Sequence, residues 1–196
     1  MDIMNDNNVE YYPWGGEFTV CSPTSCVAVV LLNIDYTPSC DKVAIYGHLK
    51  TENIGVEKIV ANVISNPYIR FLIICGDEIR GHKSGGSLVA LNKNGIDKNN
   101  RIRDAPGAIP YIENLNREAI ERFRSQIETI DLIGIKNVDK INKTIDECIE
   151  KKPSSFGEPY IAVRITPEAV ASFKDKRALH SKIIIDYMGK VKKRKG

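Results

Sequence analysis

Two uninterrupted apolar runs constrain this chain more than any other feature: residues 26–32 (CVAVVLL) and 71–75 (FLIIC). Neither alternates polar with apolar residues, so each fits a strand buried on both faces, the position of a central strand in a parallel sheet. Residues 42–47 (KVAIYG) make a further short strand. Helical patterns come between and after these runs. Residues 57–64 set Ile59, Val60, Val63 and Ile64 at helical spacing, with Asn66-Pro67 as the stop. Residues 84–94 carry Leu88 and Leu91 on one face and end at Asn94-Gly95. Strands alternating with helices predict an α/β fold, Rossmann-like, with a mainly parallel sheet flanked by helices.

The second half of the pattern is less regular. Residues 118–130 (EAIERFRSQIETI) read as one amphipathic helix with Ile120, Phe123, Ile127 and Ile130 along its stripe. Residues 138–149 read as another, with Ile141, Ile145 and Ile149 four apart. The expected organisation is a lead-in over 1–16, the α/β domain over 17–150, and a C-terminal extension with a basic tail over 151–196. In that extension 160–165 alternates like a strand, and Ile183, Ile184 and Ile185 form an apolar triplet.

Composition narrows the class further. With 196 residues, 42% hydrophobic and 27% charged, the chain is not disordered, collagen-like or a disulfide scaffold. A chain of this length buries roughly 70% of its unfolded surface on folding, enough for a full core. Lys+Arg 28 against Asp+Glu 25 leaves only +3, and Lys190, Lys192, Lys193, Arg194 and Lys195 carry more than all of it. Charge alone therefore implies no acidic partner. The tail is a solvated terminus, or a contact for nucleic acid or an anionic membrane. No apolar run approaches the ~20 residues of a membrane span, and the acidic, polar start MDIMNDNNVE is no signal peptide. The five cysteines are odd in number and irregularly spaced, and the C-x4-C pair Cys21 and Cys26 has no second pair to make a zinc site. Reduced thiols and a cytoplasmic location are expected.

In an open parallel sheet ligands bind beyond the carboxyl ends of the strands. Two segments fall there: 47–55 (GHLKTENIG) and 76–86 (GDEIRGHKSGG). His82 centres the second. It is either a solvent-facing or capping histidine before the next helix, or a metal ligand or general base for which Gly81, Gly85 and Gly86 let the backbone approach something bulky. His48 either lines a pocket or lies on the surface, and His180 has no chemical company. Neither G-x-G-x-x-G nor a phosphate-binding G-x-x-x-x-G-K-[ST] occurs.

The segments 21–30 (CSPTSCVAVV), 50–67 (KTENIGVEKIVANVISNP), 69–82 (IRFLIICGDEIRGH), 107–110 (GAIP) and 112–115 (IENL) resemble the A subunit of tetrahydromethanopterin S-methyltransferase. That is the corrinoid-carrying component of the archaeal methanogen methyltransferase complex. The resemblance implies a methyltransferase component that is not catalytic alone. Its cobamide, of the 5-hydroxybenzimidazolylcobamide or cobalamin type, would carry a methyl group from methyl-tetrahydromethanopterin to coenzyme M in methanogenesis and one-carbon metabolism. Subunits for the methyl donor and acceptor would be its partners, in a complex linked to sodium transport, with no nucleic acid involved. The same resemblance implies His82 as the cobalt ligand. The common corrinoid motif D-x-H-x-x-G is absent, since Asp77 lies five residues before His82 rather than two. Strand-end geometry, not the family, adds Gly76, Asp77, Gly81, Ser84 and Gly85 around the cofactor, with Lys50, Thr51, Glu52 and Asn53 from the neighbouring strand end. An acceptor for the second imidazole nitrogen is expected, which Asp77 or Glu78 supplies only if the loop folds back. Family members usually end in a hydrophobic anchoring helix, whereas this sequence ends in DYMGKVKKRKG, so a soluble form is expected. The alternative is a soluble small-ligand-binding paralogue that acts outside the sodium-pumping complex or has lost the cofactor.

Overall fold

The sheet forms around the two apolar runs. The computed structural model describes residues 11–79, 81–163, 183–185 and 191–193. Strands β1 (Phe18–Val20), β2 (Val27–Leu31), β3 (Ile45–His48), β4 (Phe71–Gly76) and β5 (Glu128–Ile133) lie in the order β1-β3-β2-β4-β5. β3, β2, β4 and β5 are parallel, and β1 adds to the β3 edge antiparallel. Val29 sits between Tyr46 and Ile73 in register, and Ile73 is followed across the sheet by Ile130. Helices cover both faces, which is why β2 and β4 are buried at every position and show no alternation.

Helices α1 (Ile54–Ser65), α2 (Ser84–Asn94) and α3 (Arg117–Gln126) pack with Ala28, Val30, Leu72 and Ile74. Helix α4 (Val138–Glu150) covers the other face, where Val27, Val29, Leu31 and Ile73 meet Ile141, Ile145 and Cys148. Asparagine side chains start two of these helices: Asn116 accepts from the Ala119 amide and Asn137 from the Lys140 amide, both at 2.8 Å. The 32–44 connection between β2 and β3 has no helix of its own. It is tied to α4 by Tyr36 Oη donating to Asn142 Oδ1 (2.6 Å) and by the Lys42–Asp146 ion pair (2.7 Å).

Several sequence expectations change. The helix expected over 118–130 is two elements, α3 followed directly by β5. The chain turns out of the helix at Gln126, whose buried Nε2 donates to the carbonyls of Val63, Asn66 and Ile69. Glu128 then pairs with β4, its amide donating to Arg70 O (2.8 Å). The start of α1 is three residues earlier than its apolar stripe suggests. Within the lead-in, the Tyr12 amide donates to Ser65 Oγ, and Trp14 exchanges two hydrogen bonds with the Asn62 side chain, strapping the segment along α1. Residues 160–163 form no strand, and 164–165 lie outside the described residues. Instead Tyr160 N donates to Ile64 O, while the Arg70 and Arg122 guanidiniums stack over the Phe156 ring. Cys21 and Cys40, expected as free thiols, are joined in a disulfide, and Cys26, Cys75 and Cys148 are free.

Met1–Arg164 forms one compact unit. In the second, Ile165–Gly196, β6 (Ile183–Ile185) and β7 (Val191–Lys193) pair antiparallel. His180 and the rest of the basic tail lie outside the described residues. Among the described residues no helix is long and apolar enough to cross a membrane.

Candidate functional site

From β2 the chain passes to β3 on one side, then returns through α1 to β4 on the other. The carboxyl ends of β2 and β4 therefore flank a switch point in strand order, where open α/β sheets hold ligands. The loop after β4 leaves through Gly76, at φ +93°, where a Cβ would lie 2.8 Å from the Ile34 side chain. Asp77 then pairs with Lys136 at 2.5 Å. Glu78 folds forward onto α2, accepting from the Gly85 and Gly86 amides at 3.3 and 2.7 Å. Both acids are thus committed elsewhere, and neither stands beside His82.

Glu52 stands there instead. Its side chain is 4% exposed, and Oε1 lies 3.6 Å from Nδ1 of His82, whose imidazole is 63% exposed. The same carboxylate accepts from the Lys83 amide at 3.0 Å and the Ile109 amide at 2.9 Å. One buried acid therefore joins three loops. Burial raises its pKa, but the hydrogen bonds from Ile109, Lys83 and Ala108 and the nearby His82 outweigh that cost, leaving the Glu52 carboxyl below the ordinary value of 4.5. A carboxylate beside Nδ1 favours the proton on that nitrogen and leaves Nε2 as the lone-pair donor.

Five residues on, Glu57 does similar work from within α1. It is 1% exposed and accepts from the Glu113 and Asn114 amides at 3.0 and 2.7 Å. The 107–115 loop is thereby held at both ends, by Glu52 and by Glu57. Gly107 passes so close that a Cβ would lie 2.6 Å from both Glu52 Oε2 and Ser87 Oγ. Strand-end reasoning does not select this loop, because it follows no strand. The resembling segments 107–110 and 112–115 lie in it, and the acids at 52 and 57, which need buried donors, are the physical signal that points to it.

The remaining residues spread out. Gly81, at φ +86°, has open space where a Cβ would be, so the backbone beside His82 is uncovered. Ser84 and Gly85 are buried, and a Cβ added at Gly85 or Gly86 would lie 2.8 Å from Leu32 or 2.7 Å from Pro106 of the chain itself. Lys50 turns away to pair with Glu17, and Thr51 Oγ1 accepts from the Gly55 amide at 2.8 Å. Asn53 precedes α1 without a side-chain cap bond. His48, at the end of β3, has Nδ1 3.2 Å from Leu32 O. Around His82, the segments that meet at Glu52 expose Ile79 (44%) and Ile109 (61%). The arrangement is an accessible imidazole held from below by a buried carboxylate, with aliphatic side chains facing solvent alongside.

Comparison with known proteins gives one consistent result. Residues 6–172 match the family model for the A subunit of tetrahydromethanopterin S-methyltransferase. The chain is 47% identical over 153 residues to the first form of that enzyme's A subunit from Methanothermobacter thermautotrophicus, covering 76% of this chain and 64% of the relative. It is 48% identical over 151 residues to the A subunit from Methanocaldococcus jannaschii, covering 74% and 63%. To the second form of the A subunit from Methanobrevibacter ruminantium it is 45% identical over 156 residues, covering 78% and 81%. The chain thus spans less than two thirds of the first two relatives.

Proposed function

The chain belongs to the family of tetrahydromethanopterin S-methyltransferase A subunits, and from that premise we propose that it carries a cobamide with His82 as the protein ligand to cobalt. On this reading it takes a methyl group from methyl-tetrahydromethanopterin and hands it toward coenzyme M, with donor and acceptor subunits supplying the two transfer sites. It would be a methyl carrier within the sodium-transporting complex, not an enzyme on its own.

The observation that carries the proposal is the Glu52–His82 pair, a buried carboxylate 3.6 Å from the Nδ1 of an exposed imidazole. An orienting carboxylate behind a metal-ligating histidine is the usual way a protein fixes the tautomer of such a ligand. When bound, the cobamide supplies a cobalt centre able to accept and release a methyl group. The chain's own part is to present a neutral nitrogen and hold the surrounding loops. Glu52 does both, since it also fixes the Lys83 and Ile109 amides. Ile79 and Ile109 offer apolar surface to a macrocycle, and the uncovered backbone at Gly81 leaves room for it. An imidazole binds metal only when neutral, so coordination is expected to weaken as pH falls.

Reconstitution of the full chain with cobalamin tests the carrier reading. The expected result is one tightly held corrinoid per chain, seen by its absorption after gel filtration. A protein that emerges colourless would favour the paralogue that has lost the cofactor.

A further inference from the structure

A cavity of about 250 Å3, lined by neither Glu52 nor His82, lies between α1 and the β1–β3 side of the sheet. Ala28, Val30, Ile45 and Leu72 line it from the sheet, Ile59 and Val63 from the helix. Its polar wall is limited. Asn62 reaches the cavity, but both ends of its amide are spent on Trp14, at 2.9 and 2.8 Å. What remains is Lys58, the Lys50–Glu17 pair, His48 and Thr51, two lysines against one carboxylate. Lys50 is exposed and paired with Glu17, itself 78% exposed, an ion pair of small net value that a ligand anion can replace. Lys58 is half-buried and forms no ion pair among the described residues.

Three features define the occupant. The space is below the roughly 300–1,000 Å3 of drug-sized pockets, so it fits one or two fused rings. The walls are a sheet and a helix, which favour a flat apolar body. Two ammonium groups against the single Glu17 carboxylate favour an anion. We propose that this cavity is a binding site for a small aromatic carboxylate, its ring between α1 and the sheet and its carboxylate on Lys58 and Lys50. The proposal goes beyond the cobamide reading and does not rest on it.

The test uses the full, cofactor-free chain, uniformly labelled with nitrogen-15, and indole-3-acetate as probe, with uncharged indole as control. The expected result is saturable amide shifts at Gly47, Gly55 and Lys58, with indole binding at least about fivefold more weakly. Lys58→Gln should weaken indole-3-acetate by a factor of roughly three to ten and leave indole unchanged. Ile59→Trp, which fills the space, should abolish the shifts, and Lys58→Gln still decides the matter if that variant fails to fold. No saturable shift up to about 10 mM probe would overturn the proposal. So would equal binding of acid and indole, or shifts clustered around His82 instead.

Discussion

Glu52 is the residue on which the candidate site depends, because a single carboxylate meets an amide and the imidazole of the 77–83 loop and an amide of the 107–115 loop. Replacing it with alanine takes the acceptor from the partly buried Lys83 and Ile109 amides and leaves a void where the buried carboxylate stood. That should destabilise the protein by about 2–4 kcal/mol, and Glu52→Gln by about 1–2 kcal/mol, read from urea unfolding. The pH dependence has a definite sign. The folded carboxyl titrates below its ordinary 4.5, so its stabilisation is complete above that pH and is lost as pH falls through the folded value. Glu52→Gln should flatten the stability profile below pH 4.5 relative to the parent chain. An unchanged acid slope would mean that other carboxyls set it. Sequence reading selects Glu52 for contacts to the cofactor's amides and gives the place beside His82 to Asp77 or Glu78, where the structure puts Glu52. The reason is physical. Proximity along the chain favours Asp77 and Glu78, but Lys136 and the start of α2 already hold them.

At the scale of elements, what is legible in the sequence is whatever burial writes into residue type. The runs at 26–32 and 71–75 and the bounds of α2 at Ser84 and Asn94 are all visible as apolar pattern. The α3–β5 boundary is not, because Ile127 and Ile130 keep helical spacing from Phe123 while tertiary bonds dictate a strand. The β-branched residues Thr129, Ile130 and Ile133, crowded into six positions, are the available signal. Gln126 is the switch: its side chain satisfies the carbonyls of Val63, Asn66 and Ile69 beyond the reach of α1's own ladder. Gln126→Leu should cost about 1–3 kcal/mol by taking the side-chain donor from the Val63 and Ile69 carbonyls, measured as a fall in the urea midpoint. A variant as stable as the parent would show that packing alone ends the helix.

Across the whole molecule, the segments that carry the family resemblance are brought together by the fold. KTENIG supplies Glu52, which bonds the residue after GDEIRGH and the backbone of GAIP, and Glu57 from the same stretch holds IENL. The Cys21–Cys40 disulfide closes the sheet's opposite end across a separation of 19 residues. Chain entropy assigns such a link about 3 kcal/mol. Cys40→Ser should lower stability by up to that amount without altering corrinoid uptake, since the link is remote in sequence from both loops at Glu52. The central claim is tested most directly by His82→Ala, reconstituted with cobinamide, which brings no lower base of its own, and reduced to the cobalt(II) state for electron paramagnetic resonance. The parent chain should show the splitting of one axial imidazole nitrogen, and the variant should lose it while still folding. Nitrogen splitting that survives the substitution would contradict the account and move the ligand to another residue, His48 first.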